Sequence, residues 1–159
     1  MTEQEFLDAA TAAALAVSRL SGFPPGITVA QAAEESNWGN SQLARAGHNY
    51  FGIKARNGQP SIKLPTSECI AGKTVAVTAA FARYASMEAC FAARDRILAT
   101  AACYAEARAC RADPEAFARA LARHWATDPA YAEKLLRLYR DHNLARLDAP
   151  APNQVSFRA

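Results

Sequence analysis

Apolar residues in the first third of the chain follow helical spacing. Over residues 3–20 they recur three and four positions apart, which predicts a long first helix. The segment Gly22–Gly26 contains two prolines and interrupts that pattern. Thr28 has the side chain of an N-cap, so we expect a second helix at 28–37, with Gly39 ending it.

The middle of the chain changes from helical spacing to alternation. After a predicted short helix at 41–46 and a loop at 47–54, two segments at 62–69 and 74–81 flank Ala-Gly-Lys at 71–73. The second segment contains Thr-Val-Ala-Val-Thr, whose β-branched residues favour a strand. Together the two segments predict a β-hairpin.

The last third returns to helical spacing. Aspartate-proline pairs at 113–114 and 128–129 have the pattern of a capping residue followed by a helix start. The fold class that all these elements predict is α+β, mainly helical, with one inserted hairpin. The helices predicted in this part of the chain are 87–102, 114–125 and 129–141.

Composition favours one alanine-rich domain. The chain has 159 residues, of which 51% are hydrophobic, and much of that fraction is alanine. Alanine favours helix but buries little area per residue, so helix is the default expectation. We expect a single domain at 1–147 and a short C-terminal tail at 148–159, whose proline-containing sequence shows no periodicity.

The charge pattern disfavours two classes of partner. The net charge of +3 is spread along the chain without a basic block, so nucleic-acid binding is not expected. Glu3, Glu5 and Asp8 stand where a Sec signal peptide carries positive charge, and no stretch approaches transmembrane length. We therefore expect neither a Sec signal peptide nor membrane insertion.

Cysteine and histidine spacing predicts no metal site. The three histidines form neither a His-x-x-x-His nor a His-Glu-x-x-His pattern, so neither a metal nor another cofactor is expected. The cysteines form no Cys-x-x-Cys pair, match no zinc spacing, and are expected to be small buried hydrophobes. They are Cys69, Cys90, Cys103 and Cys110.

Two adjacent glutamates near the end of the second predicted helix raise a chemical question. Glu34 and Glu35 point about 100° apart around a helix, so they cannot share one environment. A half-buried carboxyl has a raised pKa and donates a proton near neutral pH, whereas a solvated carboxyl is an ordinary surface charge. Spacing alone leaves open which glutamate is half-buried, or whether both are surface charges.

A set of motifs in fixed order resembles a known enzyme family. The first reads Gln-Ala-Ala-Glu-Glu-Ser-Asn-Trp-Gly at 31–39, followed by Asn-Tyr-Phe-Gly-Ile-Lys at 49–54. Thr-Ser-Glu at 66–68, Phe-Ala-Arg-Tyr-Ala-Ser at 81–86 and Trp-Ala-Thr-Asp-Pro-Ala-Tyr at 125–131 follow. Together they resemble glycoside hydrolase family 73, the peptidoglycan-cleaving β-N-acetylglucosaminidases found in autolysins, phage lysins and the flagellar rod-cap hydrolase.

The resemblance implies a lysozyme-like fold, with the hairpin beside an active-site cleft, and a role for each glutamate. Glu35 falls on the family's general acid, Glu34 falls where leucine is usual, and Glu68 falls on the second carboxylate. The implied reaction breaks the β-1,4 bond between N-acetylglucosamine and N-acetylmuramic acid. Glu35 would protonate the glycosidic oxygen, and Glu68 would activate water or steady positive charge on the sugar, unless the substrate's acetamido oxygen assists instead.

The same motifs imply a set of substrate-binding residues. Aromatic members are expected to stack on sugar faces, and Asn49 is expected to bond an acetamide group. Three acidic residues, Glu88, Asp95 and Glu133, stand outside the motifs and are expected on helix surfaces. The implied binding residues are Trp38, Asn49, Tyr50, Phe51, Tyr84, Trp125, Asp128 and Tyr131.

Two positions depart from the family pattern. Trp125 stands where the family commonly has tyrosine, and indole offers an N–H donor but no hydroxyl. This change would reshape the subsite or lower the activity. Asn37 stands where the family has glycine, which is acceptable if the backbone there is left-handed.

Two other functions are compatible with parts of the sequence. A muramidase of the lysozyme or lytic-transglycosylase type would share the broad fold, but those enzymes usually follow Glu-Ser with a Gly-x-x-Gly-Leu-Met-Gln segment. A catalytically weak cell-wall-binding module is favoured by Trp125 and disfavoured by the presence of both Glu35 and Glu68.

The resemblance also implies a place of action. The expected partner is the peptidoglycan glycan strand, and the protein is expected to be a monomer. It would be made in the cytoplasm and act in the periplasm or cell wall after delivery by a phage holin, a secretion system or flagellar export. A secreted effector would imply an immunity protein in the producing cell. The sequence does not select among these routes.

Overall fold

Seven α-helices and one two-stranded antiparallel sheet make up residues 1–149, the part of the chain that the computed structural model describes. Two short 3₁₀ helices lie at Ala102–Tyr104 and Leu144–Leu147. The predicted class, α+β with helix dominant and one inserted hairpin, is confirmed. The α-helices are α1 Glu3–Ser21, α2 Pro25–Ser36, α3 Gln42–Gly47, α4 Met87–Thr100, α5 Ala105–Ala109, α6 Pro114–Trp125 and α7 Tyr131–Asp141, and the strands are β1 Ser61–Ile70 and β2 Lys73–Ala82.

Helix α2 is the central helix of the fold. Nine of its twelve residues are buried, and it packs against α1, α6 and α7. Its alanines at 30, 32 and 33 are fully or almost fully buried. Small side chains let neighbouring helices approach closely, so the alanine-rich composition serves the packing around α2.

Two apolar clusters form the core around α2. One joins α1 and α2 to the loop before β1 and the start of α4, and includes Phe6, Phe51 and Phe91. The other joins α5, α6 and α7, and includes Phe117. Trp125 packs against both clusters, so the last residue of α6 lies where they meet.

Helix α2 begins earlier than the sequence predicted. Its first residue is Pro25, and the predicted cap Thr28 lies inside the helix, where its hydroxyl donates to the Pro24 carbonyl at 3.2 Å. Proline suits the first turn because the N–H that it lacks would have no helical partner there. The expectation that Thr28 caps α2 is therefore wrong.

Of the two aspartate-proline starts, one is confirmed and one is wrong. Asp113 caps α6, accepting the N–H of Ala116 at 3.2 Å. Asp128 instead accepts the N–H of Ala130 at 2.9 Å, which closes a turn before α7 begins at Tyr131. The same aspartate-proline signal therefore caps a helix in one place and forms a preceding turn in the other.

The hairpin is a ribbon joined to the domain at its base. Its register pairs Ser61 with Ala82 and Ile70 with Lys73. Both residues of the connecting turn, at 71 and 72, have left-handed backbone, the conformation that suits a two-residue hairpin turn. Near the tip, Ile70 and Val75 are exposed, so little apolar packing holds that end.

Two other expectations about side-chain burial need correction. Asp95 was expected on a helix surface but is 5% exposed, whereas Glu88 and Glu133 are exposed as expected. Asp95 is buried because the Arg94 guanidinium and the Ser21 hydroxyl both donate to its carboxylate. The four cysteines, all free, were expected to be buried, but only Cys90 is; Cys69 and Cys103 are exposed and Cys110 is half-buried.

The end of the described chain is held by side-chain contacts. Asp148, the first residue of the predicted tail, accepts the N–H of Gly26 at 2.8 Å and the hydroxyl of Tyr139 at 2.6 Å. Residues 150–159 of the predicted tail lie outside the described residues, and the domain boundary stays a prediction. Within residues 1–149, no helix is long and apolar enough to cross a membrane, and no three His, Cys, Asp or Glu residues are grouped to hold a metal.

Candidate active site

Glu35 is the last residue but one of α2, and the chain turns sharply after it. Asn37, Trp38 and Gly39 all have left-handed backbone, with φ of 49°, 58° and 77°. The Ser36 hydroxyl holds this turn, because it donates to a carbonyl one helical turn back at 2.6 Å and accepts the Gly39 N–H at 2.9 Å. The left-handed backbone that Asn37 required is confirmed.

The turn packs against the first turns of α1. A Cβ atom at Gly39 would lie 3.0 Å from the Met1 sulfur and 3.2 Å from a Phe6 ring carbon, so this position has little room for a side chain. Trp38 meets Phe6 edge-on at a centroid distance of 5.8 Å, and His142 at 4.8 Å. The Ser-Asn-Trp-Gly segment therefore fixes the end of α2, and with it the backbone that carries Glu35.

The carboxyl of Glu35 is half-buried, while Glu34 is exposed. The Tyr131 hydroxyl donates to Glu35 Oε1 at 2.6 Å, and the Trp125 indole lies near this carboxyl. Burial raises the pKa of Glu35 above its ordinary value; the bond from Tyr131 opposes that rise, the charge of Glu34 adds to it, and the nearby Trp125 indole opposes it. The net effect favours a carboxyl that keeps its proton closer to neutral pH.

A buried cation, Arg94, is bonded to the helix that carries Glu35. Arg94 is completely buried, and its guanidinium donates to Gln31 Oε1 at 2.9 Å, to Thr28 Oγ1 at 2.9 Å and to Asp95 Oδ1 at 2.8 Å. Within residues 1–149, Gln31 Nε2 and Arg94 Nη2 have no hydrogen-bond partner. The guanidinium is thus bonded to α2, the helix that carries Glu35, through Gln31 and Thr28.

The motifs do not include Arg94, and Gln31, the first residue of the first motif, was given no role in the site. A signal was present in α4, where Cys90, Arg94 and Leu98 recur every four residues and so share one face. An arginine between two apolar residues on such a face indicates a buried cation that needs partners. For Gln31 the sequence held no comparable sign, because its partner Arg94 comes from α4.

Glu68 lies in a contrasting environment on the hairpin. It is on β1 opposite Val75, and its Oε1 is 2.6 Å from Nζ of Lys54. The two side chains are well exposed, at 38% for Glu68 and 61% for Lys54. Lys54, the last residue of the Asn-Tyr-Phe-Gly-Ile-Lys motif, was not among the predicted site residues.

Asn49 is used to hold the loop that carries this motif. Its amide nitrogen donates to the carbonyls of Ile53 at 2.8 Å and Ala82 at 2.9 Å. Its amide oxygen accepts the N–H groups of Phe51 at 3.3 Å and Ile53 at 3.2 Å. Both donors and both acceptor positions are thus occupied, and the side chain is 1% exposed. These contacts favour a structural role over a bond to an acetamide group.

Tyr50 and Phe51 lie in the core. Phe51 is 2% exposed, with centroid distances of 5.2 Å to Phe91 and 6.2 Å to Trp125. Tyr50 is 6% exposed and meets Phe91 edge-on. Their packing favours a role in supporting the site from behind over stacking on a sugar.

Of the remaining predicted binding residues, two lie at Glu35 and two lie away from it. Trp125 and Tyr131 come together at Glu35. Asp128 forms an ion pair with Lys134 at 2.7 Å, and that hydrogen bond is the main cause that lowers the pKa of Asp128. Tyr84 lies elsewhere, in a cavity between α4 and the loop before β1. A larger cavity, of about 520 Å³ between α1 and α4, contains none of the predicted site residues.

Several known sequences resemble the chain over most of its length. The profile of the glucosaminidase family, described as mannosyl-glycoprotein endo-beta-N-acetylglucosaminidase, matches residues 11–144. A probable N-acetylmuramidase of Lactococcus lactis subsp. cremoris is 35% identical over 154 residues, covering 92% of this chain and 35% of the relative. The peptidoglycan hydrolase FlgJ of Pseudomonas aeruginosa is 39% identical over 119 residues, covering 70% of this chain and 30% of that protein. The chain thus spans about a third of the length of these relatives.

Solved structures match the fold as well. The catalytic domain of the autolysin Auto from Listeria monocytogenes superposes with a TM-score of 0.81 at 30% identity, covering 91% of this chain and 86% of that one. The glycoside hydrolase domain of FlgJ from Salmonella typhimurium gives a TM-score of 0.73 at 31% identity, covering 92% and 91%. The lysozyme-like arrangement of helices with an inserted hairpin, expected from the sequence, is confirmed.

Proposed function

The chain belongs to the glucosaminidase family, and from that membership we propose that it is a peptidoglycan hydrolase that cleaves the β-1,4 bond between N-acetylglucosamine and N-acetylmuramic acid. Glu35 is the proposed general acid, and Glu68 the proposed second carboxylate. The substrate is the glycan strand of the cell wall, and no cofactor is needed for this chemistry.

The environment of Glu35 is the observation that carries the proposal. A general acid must hold a proton at the working pH and release it in the transition state. Burial raises the pKa of Glu35, and the Tyr131 hydroxyl at 2.6 Å is placed to stabilise the carboxylate that forms when the proton leaves. The Trp125 indole lies near the same carboxyl and also opposes the rise of its pKa.

The proposed reaction begins with proton transfer. The Glu35 proton passes to the glycosidic oxygen as the bond between that oxygen and the anomeric carbon breaks, so the departing sugar leaves with a free hydroxyl. Positive charge then develops on the anomeric carbon and the ring oxygen. Because Glu35 becomes negatively charged in this step, the hydrogen bond from the Tyr131 hydroxyl gains strength in the transition state.

Two routes supply the group that attacks the anomeric carbon. In one, the exposed Glu68 carboxylate takes a proton from a water molecule whose oxygen bonds to that carbon. In the other, the acetamido oxygen of the substrate bonds first, and water opens the resulting ring. Glu68 has a base role in the first route, whereas in the second it steadies positive charge.

A muramidase is the second candidate, because the relative from Lactococcus lactis carries the name probable N-acetylmuramidase. The two activities use the same strand and differ in the bond that is cut. A glucosaminidase releases a new reducing end on N-acetylglucosamine, and a muramidase releases one on N-acetylmuramic acid.

Mass spectrometry of borohydride-reduced digests tests both proposals. Purified peptidoglycan is incubated with the wild-type chain and with Glu35→Gln, with Glu34→Gln as the matched control. We expect reduced N-acetylglucosamine ends with the wild type and the control, and none with Glu35→Gln. Reduced muramic acid would make the chain a muramidase, anhydro-muramic acid would make it a transglycosylase, and no cleavage by folded protein would favour the wall-binding module.

The names of the relatives support a site of action at the cell wall, since FlgJ is named a peptidoglycan hydrolase. The delivery route through a holin, a secretion system or flagellar export stays a prediction. So do the monomeric state and an immunity protein in a producing cell.

A further inference from the structure

A cavity of about 390 Å³ lies between α4 and the loop that precedes β1. Its apolar walls include Ile53 and Ile97, and no acidic residue belongs to its lining. Its polar lining consists of three cations and three neutral groups, namely Lys54, Arg56, Arg96, Gln59, Tyr84 and Thr100. The cavity thus combines apolar walls with charged groups that are all positive, as expected for an anion-binding site.

The two arginines of this cavity carry charge that no carboxylate offsets. Within residues 1–149, the ion pairs with nitrogen–oxygen distances up to 4.0 Å involve neither Arg56 nor Arg96. Elsewhere in the chain, Arg119 and Arg123 each pair with a glutamate. The pKa of Tyr84 is raised by burial, and the charges of Arg96 and Arg56 oppose that rise, so both guanidinium groups act on one hydroxyl.

The cavity adjoins the second proposed carboxylate. Lys54 contributes to its lining, and Nζ of Lys54 is 2.6 Å from Oε1 of Glu68. Because Lys54 is already paired, Arg56 and Arg96 are the cations left for a ligand. The cavity therefore lies next to Glu68, within reach of a substrate strand bound there.

We propose that this cavity is a subsite for a carboxylate of the peptide stem that peptidoglycan carries on its muramic acid residues, with Arg56 and Arg96 as the binding groups. The inference rests on the proposed function. N-acetylated sugars joined to their peptides are neutral, so the glycan itself has no use for two unpaired guanidinium groups. Stem peptides contain free carboxylates, and the planar arginine side chain binds a carboxylate through two parallel hydrogen bonds.

The same chemistry has a second source, the lactyl carboxylate of muramic acid in a strand without peptides. Three substrates separate the sources: soluble strands with acidic stem peptides, the same strands with their peptide carboxylates amidated, and strands stripped of peptide by an amidase. We expect Arg56→Gln/Arg96→Gln to lose about tenfold in kcat/KM on the acidic strands, chiefly through KM. On the amidated and stripped strands the change should stay within about twofold.

Other outcomes would overturn the inference. A selective loss on stripped strands would assign the cavity to the lactyl carboxylate, and an equal loss on all three substrates would mean that the arginines support the fold or the reaction. Unchanged kcat/KM of the double arginine variant on all three substrates would contradict the proposed subsite. The control Arg19→Gln/Arg146→Gln removes the same charge from exposed positions on α1 and the last 3₁₀ helix, and should leave all three rates unchanged.

A binding measurement separates failure of the subsite from failure of the proposed function. Calorimetric titration of a muramyl peptide with free carboxylates needs no cleavage. We expect binding by the wild type and by Glu35→Gln, and at least tenfold weaker binding by the double arginine variant. Binding without cleavage of any strand would keep the subsite and overturn the hydrolase, whereas cleavage without arginine-dependent binding would do the reverse.

Discussion

Glu35 and Glu68 lie on two parts of the molecule that differ in burial, packing and charge. Glu35 ends α2, a helix with nine of twelve residues buried, and its carboxyl is bonded by a buried tyrosine. Glu68 lies on a two-stranded ribbon, and its one hydrogen-bonded partner among residues 1–149 is the exposed Lys54. Burial raises the pKa of the first carboxyl, while the second is open to water.

This difference suits the two roles that we propose for Glu35 and Glu68. A proton donor benefits from a fixed, partly dry position, because its pKa depends on burial and on a few bonds of defined length. A carboxylate that meets water or an incoming strand benefits from exposure and from an element with few buried contacts. The helix supplies the first environment, and the hairpin supplies the second.

The largest expected effect comes from the helix side. Glu35→Gln keeps the size of the side chain but removes the proton donor, so hydrolysis should fall by about a thousandfold or more. Initial rates of muropeptide release measure this loss, and circular dichroism checks that the variant is folded. Full activity of Glu35→Gln would show that Glu35 is not the general acid. A large fall in Tm would show that Glu35 is needed for the fold. The neighbouring exposed Glu34→Gln should keep a rate close to the wild type, with its alkaline limb moved slightly to lower pH, because the charge of Glu34 helps to raise the pKa of Glu35.

On the hairpin side, Glu68→Gln should reduce kcat by about ten- to a hundredfold, less than Glu35→Gln if the acetamido group of the substrate shares the work. Lys54→Gln leaves the carboxylate in place without its ion pair, so it should lose less than Glu68→Gln. Rates on one purified peptidoglycan preparation compare the two variants. Wild-type activity in Glu68→Gln would show that the Glu68 carboxylate takes no part in the reaction. Glu88→Gln, an exposed change on α4, is the matched control.

A smaller effect tests the hydrogen bond from Tyr131. The hydroxyl stabilises the ionised form of Glu35, so Tyr131→Phe should raise the pKa of Glu35 further. Because the general acid acts while protonated, activity is lost as pH rises through that pKa, and the alkaline limb of the profile should move to higher pH, by up to about one unit. Profiles of kcat/KM against pH measure the shift.

The control for this experiment is Tyr139→Phe, which removes a hydroxyl bonded to Asp148 and not to Glu35. Its alkaline limb should coincide with that of the wild type. A shift to lower pH in Tyr131→Phe, or the same shift in both variants, would contradict the assigned role of the Tyr131 hydroxyl.

The smallest effect is expected at Trp125, where the two apolar clusters meet. Trp125→Tyr restores the residue common in the family, and its hydroxyl can replace the indole N–H as a donor near Glu35. Activity should stay within about threefold of the wild type or rise, as measured by the same rates. A loss of more than tenfold would show that this chain has built its subsite around the indole ring.

Local pattern predicted most elements of the fold. Helix α6 begins at the predicted Asp113-Pro114 pair, and the hairpin arms lie within one residue of their predicted ends. The predicted starts of α2 and α7 were wrong. Thr28 and Asp128 can each form more than one local hydrogen bond, and the surrounding residues determined which one forms. A capping residue in the sequence therefore indicates a possible helix start, and tertiary packing determines whether the helix starts there.

For the candidate site, the motifs pointed to Glu35, Trp125 and Tyr131, which the structure brings together. Periodicity alone did not choose between Glu34 and Glu35, since the choice depends on which flank of α2 other helices cover. Asn49 and Phe51 belong to the same motifs, yet their bonds and burial favour support of the loop and core. A motif therefore marks residues that a site needs, without separating those that meet a substrate from those that hold the backbone.

The sequence by itself determined the hairpin and the helical segments other than α5, the family and the candidate acid, because spacing and motif order are properties of the chain. Only the tertiary structure decided which polar groups meet. Arg94 lies 63 positions from Gln31 in the chain, and Glu68 lies 14 from Lys54. Such contacts form because packing brings distant segments together, and a buried charge is stable only where that packing also brings its partners.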